Sequence, residues 1–307
     1  MHNERRALIM ALLAVLCWST VATAFKLALE VLTPSWLLAF AVCTSWLFLS
    51  GLLLWKQQWS NAVRDFRQHW RAYLRQALIN PVCYYLILFE AYDLLPAQQA
   101  QAINYTWAIT MSLLAVPLLG QRLFPRDLLA LLLAYLGVLV IATKGNLLGL
   151  EFDSVSGVAL ALFSTLLWAL YWILNTRAAR QGEQSDATTS LWGSFMLAVP
   201  MLLVIALLRD GVPTLGWQAV GTGLYVGLFE MGITFVMWQT AMNLTRRTAA
   251  ISSLIFLSPF LSLIFISQIL GEAVHSATLI GLLLIMAGLA VQKLGGKAEA
   301  TTAGRSE

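Results

Sequence analysis

Residues 119–139 read LGQRLFPRDLLALLLAYLGVL, and residues 270–290 read LGEAVHSATLIGLLLIMAGLA. Laid over each other at an offset of 151, Leu119-Gly120-Gln121 falls on Leu270-Gly271-Glu272 and Gly137 falls on Gly288. Leu136-Gly137-Val138-Leu139 thereby meets Ala287-Gly288-Leu289-Ala290. The charge does not carry over. The first turn holds Arg122 and Arg126, whereas the second holds Glu272 and His275 and no Lys or Arg. A segment that recurs with its turn intact and its basic residues removed is the trace of a repeat whose copies face opposite ways.

Outward from this pair, Trp18 falls on Trp168 at an offset of 150. The Pro96-Ala97-Gln98 turn, free of Lys and Arg, corresponds to one carrying Arg246 and Arg247. The chain thus divides into a first half over 1–146 and a second over 153–296, with 297–307 expected as a disordered cytoplasmic tail.

Composition says what medium the halves occupy. Of 307 residues, 59% are hydrophobic and only 11% are charged, and mean hydropathy is +0.76. A soluble domain carries about 25% charged residues, so this chain cannot cover a water-facing surface. Ten apolar stretches of about twenty residues follow, near 7–29, 35–55, 74–95, 97–119, 126–144, 155–175, 188–208, 217–241, 248–270 and 274–293. Each must be helical in hydrocarbon, where no water satisfies a bare backbone. The fold class is therefore an all-α membrane protein, ten transmembrane helices arranged as two inverted five-helix repeats. Five crossings per half is an odd number, which is why the second half sits upside down.

The positive-inside rule sets the orientation. With the N-terminus in the cytoplasm, 16 of the 19 Lys and Arg residues fall on the cytoplasmic side, leaving Lys26, Lys144 and Arg209 outside. A bacterial inner membrane with both termini cytoplasmic is the expected location. The net charge of +4 answers the lipid bilayer rather than a nucleic acid. Between Trp55 and Arg75, Trp59, Val63, Phe66, Trp70 and Tyr73 recur at spacings of four and three with arginines between them. That spacing predicts an amphipathic helix lying on the anionic inner leaflet.

Cys17, Cys43 and Cys83 share no CxxC spacing, and His2, His69 and His275 form no HExxH. No phosphate-loop, GxSxG or GxGxxG pattern is present. No cofactor and no metal is expected, and catalytic residues have no constellation to sit in.

With the repeat in view, Trp18-Ser19 and Phe25-Lys26 in the first span, and Pro259 with Leu270-Gly271-Glu272 in the second half, resemble the drug/metabolite transporter superfamily in its ten-span EamA-type branch. The likeness covers the chain to about residue 293, with Gln121 standing where many members have Glu. Asn104-Tyr105-Thr106-Trp107 is similar to a stretch of the aromatic amino-acid exporters of that superfamily. The resemblance implies export of amino acids or related metabolites from the cytoplasm.

In an inverted-repeat carrier the site lies near the midplane, at interrupted helices. Pro81 and Gly232 meet at offset 151 and are the helix-break candidates, with ordinary membrane-helix tolerance of Pro and Gly as the alternative. Glu230 lies near the centre of its span, where a charge is costly and a functional role is the default. It is the proton-coupling candidate, against the alternative of a side chain that only hydrogen-bonds a neighbouring helix. Substrate-cavity candidates are Ser19, Lys26, Tyr84, Gln101, Asn104, Trp107, Trp168, Tyr171, Trp172 and Ser252. Together they offer aromatic stacking and hydrogen bonds to an amino or carboxyl group. Lys26 can reach a substrate carboxylate, pair with Glu90, or snorkel to the interface. Span interiors hold no Arg, which disfavours a polyanionic substrate. Gly223 and Gly227 form a GxxxG read as packing inside the bundle, a monomer being expected and a homodimer seam the alternative.

The reading is a secondary transporter of small molecules working by alternating access. Efflux of multiple or cationic drugs is the alternative, though the first span has no carboxylate midway. An intramembrane enzyme lacks a catalytic set, and a channel is disfavoured by the inverted halves.

Overall fold

The computed structural model describes residues 2–120, 124–148, 152–180, 186–214, 216–245, 251 and 254–303. Helices dominate, and among the described residues there is no strand. The first half comprises α1 (His2–Leu29), α2 (Pro34–Trp55), α3 (Trp59–Ala77), α4 (Tyr84–Leu94), α5 (Ala97–Asn104), α6 (Trp107–Leu119) and α7 (Pro125–Ala142). The second comprises α8 (Val155–Arg180), α9 (Ala187–Asp210), α10 (Trp217–Phe229), α11 (Ile233–Leu244), α12 (Ser258–Leu270) and α13 (Ser276–Ala303). Among the described residues seven stretches are long and apolar enough to cross a bilayer, and 254–270 and 276–291 are shorter apolar helices. The remaining expected crossing, 74–95, is the end of α3, a π-helical turn over Leu78–Cys83, and α4.

Local chemistry places the ends. Gly120 and Gly271 each close a helix in the left-handed conformation, both at φ 67°. The repeated Leu-Gly pair is thus a helix stop that only glycine makes without strain. Pro34 and Pro125 occupy first helical turns, where a missing N–H costs nothing. Asp186 caps α9, its carboxylate accepting from the Thr188 and Thr189 amides. The helix α13 continues to Ala303 across positions where the composition predicts a disordered tail; Lys297, Ala298, Glu299 and Ala300 are good helix formers.

The halves pack as pseudo-two-fold mates. α7 lies along α13 and α2 along α9, each pair joining equivalent spans. α1 packs on α10, α11 and α12, while its counterpart α8 packs on α4, α5 and α6. The symmetry reaches single contacts. A Cβ on Gly137 would lie 2.5 Å from the Gly281 carbonyl oxygen, and one on Gly288 would lie 2.6 Å from that of Ala130. These contacts exchange under the offset of 151. Gly223 and Gly227 press on Phe40, Ala41 and Thr44 of α2, so the GxxxG face is filled within the chain.

The amphipathic helix is α3, starting at Trp59. It docks on α9 through Tyr73 against Gly193 and through Trp59 and Phe66 against Trp192, ring centroids 5.2 and 6.0 Å apart. Arg64, Arg67 and Arg71 stay exposed.

Candidate functional site

Two pairs of spans are broken at matching depths. The third is interrupted at Asn80 (φ −143°, ψ 116°) beside Pro81, and the eighth at Gly232 (φ −113°, ψ −94°) between α10 and α11. The fourth turns at Tyr105-Thr106 between α5 and α6, and the ninth opens with a 3-10 turn over Leu254–Leu257 ahead of α12. The second pair of breaks has no glycine, and the only proline near it is Pro259, at the start of α12. Its aromatic and hydroxyl residues read as ordinary span.

Glu230 sits in the eighth-span break. Its carboxyl oxygen accepts a 2.8 Å hydrogen bond from the Tyr85 hydroxyl, across the two halves. Glu230 keeps some accessible surface, as a group lining an internal space does. Tyr85 itself is buried. Tyr84, one residue earlier, donates to Asn104 Oδ1 at 3.3 Å, and Asn104 donates to Ser164 Oγ at 3.1 Å. Aromatic rings enclose this network. Trp168 stacks on Tyr84 at 4.5 Å and on Tyr171 at 5.6 Å, with Trp107 edge-on at 6.3 Å and Trp172 at 5.9 Å. Offset stacks and edge-to-face pairs of this kind leave ring faces to which an aromatic or apolar solute adds. The symmetry-related pair also meets across the halves, though edge-on rather than stacked, with Trp18 against Phe235 at 5.7 Å. Trp18 and Phe235 correspond to Trp168 and Tyr84.

Below the cluster, toward the end carrying most of the basic residues, the helices part around a cavity of about 690 Å³. Tyr171 and Trp172 form part of its wall and belong to the ring stack, so the cavity abuts the cluster. Arg75, Arg177 and His69 line it as well, with Gln76, Asn175 and Gln239.

The opposite end is tied shut. Ala97 N–H donates to Glu272 Oε1 at 3.0 Å, Gln98 donates to the Ala273 carbonyl at 2.9 Å, and Thr278 donates to Gln98 Oε1 at 2.8 Å. Arg209 pairs with Glu90 at 2.5 Å, and Lys144 pairs with Asp153 at 2.5 Å. Asp210 accepts from Thr33 at 2.7 Å and from Ser35, while the Trp36 indole donates to the Gly211 carbonyl. Every one of these bonds joins the first half to the second, Lys144–Asp153 doing so across the short linker between them.

The residues expected at the site divide accordingly. Tyr84, Asn104, Trp107, Trp168, Tyr171 and Trp172 come together with Glu230. Gln101 is buried one turn inside the belt. Ser19 is buried against α12, donating to the Val15 carbonyl at 2.6 Å and lying 3.5 Å from Ser258 Oγ. Lys26 is not in the cavity and does not pair with Glu90. Its ammonium donates to the Tyr92 and Leu95 carbonyls at 2.8 and 3.1 Å, capping α4, because cations settle at helix C-termini. Ser252 lies outside the described residues. Sequence reasoning missed Tyr85 as the partner of Glu230; its place one helical turn after Pro81, the residue that falls on Gly232 at the offset of 151, was the available signal.

Paired inverted halves with matching helix breaks, a polar aromatic centre and access from one end define a multi-pass membrane transporter. The chain belongs to the EamA-like transporter family, which it matches twice, over residues 5–143 and 155–292. It is similar to the uncharacterized transporter YvbV of Bacillus subtilis (strain 168), 26% identical over 77% of this chain and 76% of that one. It is also similar to the aromatic amino acid exporter YddG of Ancylobacter novellus, 26% identical over 69% and 72% of the two chains. A solved structure described only as a crystal structure of protein superposes with a TM-score of 0.66 over 95% of this chain and 98% of that one, at 22% identity. That likeness concerns the fold alone.

Proposed function

We propose that the protein is a secondary carrier exporting amino acids or related small metabolites by alternating access, with Glu230 as its coupling carboxylate. The observation that carries this reading is one-sided access. A cavity at the basic end reaches the edge of the aromatic centre at Tyr171 and Trp172, while a belt of bonds between the halves closes the other end. A carrier caught with one gate open has this form, and the pseudo-symmetry supplies the second form by exchanging the roles of the halves. The basic end is the cytoplasmic end of an inner-membrane protein by the positive-inside rule, so the observed form is open inward.

Tyr85 bonds Glu230 across the two halves, so any change in that carboxyl's protonation is felt at the junction that must rearrange. The export of aromatic amino acids by the Ancylobacter relative agrees in kind with a centre built from Trp107, Trp168, Tyr84 and Tyr171. The test is flux of a labelled amino-acid panel in proteoliposomes under a pH gradient, with wild type and Glu230→Gln. Saturable transport whose gradient dependence is lost in the variant is the expected result. Saturable flux with the gradient dependence intact removes Glu230 from coupling, and no saturable flux of any panel member removes the substrate class.

A further inference from the structure

The cavity at the basic end has a charge that the central site does not explain. Arg75, from the end of α3, and Arg177, from the end of α8, both line it. Among the described residues neither guanidinium has an ion-pair partner, and no carboxylate lines the cavity. Among the described residues the acidic groups nearest in sequence are engaged elsewhere. Asp65 is held by His69 at 3.1 Å and by the Tyr73 hydroxyl, and Asp186 caps α9. Between the two arginines and the ring stack, Gln76 donates to Asn175 at 3.0 Å, which presents amides rather than charge. Tyr171 and Trp172 form the aromatic part of the wall.

We propose that this vestibule is a selectivity site for aromatic monocarboxylates of net negative charge, with Arg75 and Arg177 as the residues that set the preference. Two unpaired cations at the exposed mouth of a concave space raise the local concentration of anions and repel cations. A guanidinium matches a carboxylate with two parallel N–H donors, and the adjoining rings accept an aryl group. The absence of arginine from the span interiors keeps the attraction at the mouth, so a single charge is drawn in without being trapped at the centre. Outward movement of one negative charge is also driven by an inside-negative potential, by about 50-fold at 100 mV. The inference rests on the carrier reading and narrows its substrates toward deaminated or N-blocked aromatic acids.

The test uses a matched series at pH 7: 3-phenylpropionate (anion), L-phenylalanine (zwitterion) and phenethylamine (cation). Binding to the full-length protein in neutral-lipid nanodiscs is measured by equilibrium dialysis, and flux in proteoliposomes is measured in parallel. Wild type is expected to bind 3-phenylpropionate roughly tenfold more tightly than phenethylamine, the scale of two exposed charge contacts. Arg75→Gln with Arg177→Gln abolishes that ratio, and Arg75→Lys with Arg177→Lys keeps most of it. Should the glutamine pair fail to fold, the wild-type ratio must instead shrink severalfold between 50 and 500 mM NaCl. Equal binding of all three solutes, or a preference that survives both the glutamine pair and high salt, overturns the proposal. Saturable phenylalanine flux without anion preference overturns the vestibule and leaves the carrier. Anion-selective binding without flux of any solute does the reverse.

Discussion

Replacing Glu272 tests the closed end of the bundle where its energetics can be worked out. Its carboxylate accepts from the Ala97 amide at 3.0 Å and lies 3.4 Å from the Gln98 side-chain nitrogen. The second distance is too long to contribute much, so the bond to the helix α5 N-terminus dominates. A hydrogen bond to a charged acceptor contributes about 1.5–3 kcal/mol. Glu272 is only half-buried, and solvent weakens such bonds, so the low end applies. Glu272→Ala then removes about 1.5 kcal/mol from the closed form alone, which raises the open population of this gate roughly tenfold. The assay is labelling by a membrane-impermeant maleimide of Gln101→Cys, buried one turn inside the belt, in a background without Cys17, Cys43 and Cys83. Labelling from the side opposite the basic end should rise about tenfold with Glu272→Ala and by less with Glu272→Gln, which keeps an acceptor. A rate unchanged within twofold would mean that the carboxylate does not hold this end closed.

Further expectations follow from contacts elsewhere. Gly281→Leu should lower the melting temperature in detergent markedly, because a side chain there meets the Gly137 carbonyl 2.5 Å away and overpacking costs about 1–3 kcal/mol; Gly221→Ala, with nothing within 4 Å, should be neutral or slightly stabilising. Tyr85→Phe removes the hydroxyl that donates to Glu230 and should weaken the pH-gradient dependence of flux as Glu230→Gln does, while Tyr84→Phe, whose bond to Asn104 is a long 3.3 Å, should leave that dependence in place. Arg209→Ala breaks a half-exposed ion pair with Glu90 and should change stability by less than about 1 kcal/mol, measured by thermal unfolding.

Most of the fold is legible in the sequence because a bilayer leaves few choices: an apolar run of twenty must be a helix, and the swapped charge of equivalent turns marks the inverted repeat. The Leu-Gly repeat also has a local cause, since both glycines make the same left-handed stop. The breaks at Pro81 and Gly232 announce themselves by residue type. Those at Tyr105-Thr106 and Leu254–Leu257 do not, because neither stretch holds a glycine or proline to mark it. Within the site the aromatic members were legible from their density, whereas the partner of a buried group was not. Glu230 meets Tyr85 across 145 positions, a pairing set by how the halves dock. The partner of Lys26 is illegible for a similar reason: near the outer end of its span it could meet a substrate, Glu90 or the interface, and only the fold brings the carbonyls at the end of α4 within reach of its ammonium.

The most direct test of alternating access is counterflow. Proteoliposomes preloaded with unlabelled L-phenylalanine or 3-phenylpropionate receive a trace of the labelled solute outside, with no ion gradient. A carrier with one gate open at a time gives saturable uptake that overshoots equilibrium and is accelerated by the internal load, and Glu230→Gln should retain this exchange. Uptake that rises linearly with concentration and ignores the internal load would identify an open pore and contradict the account.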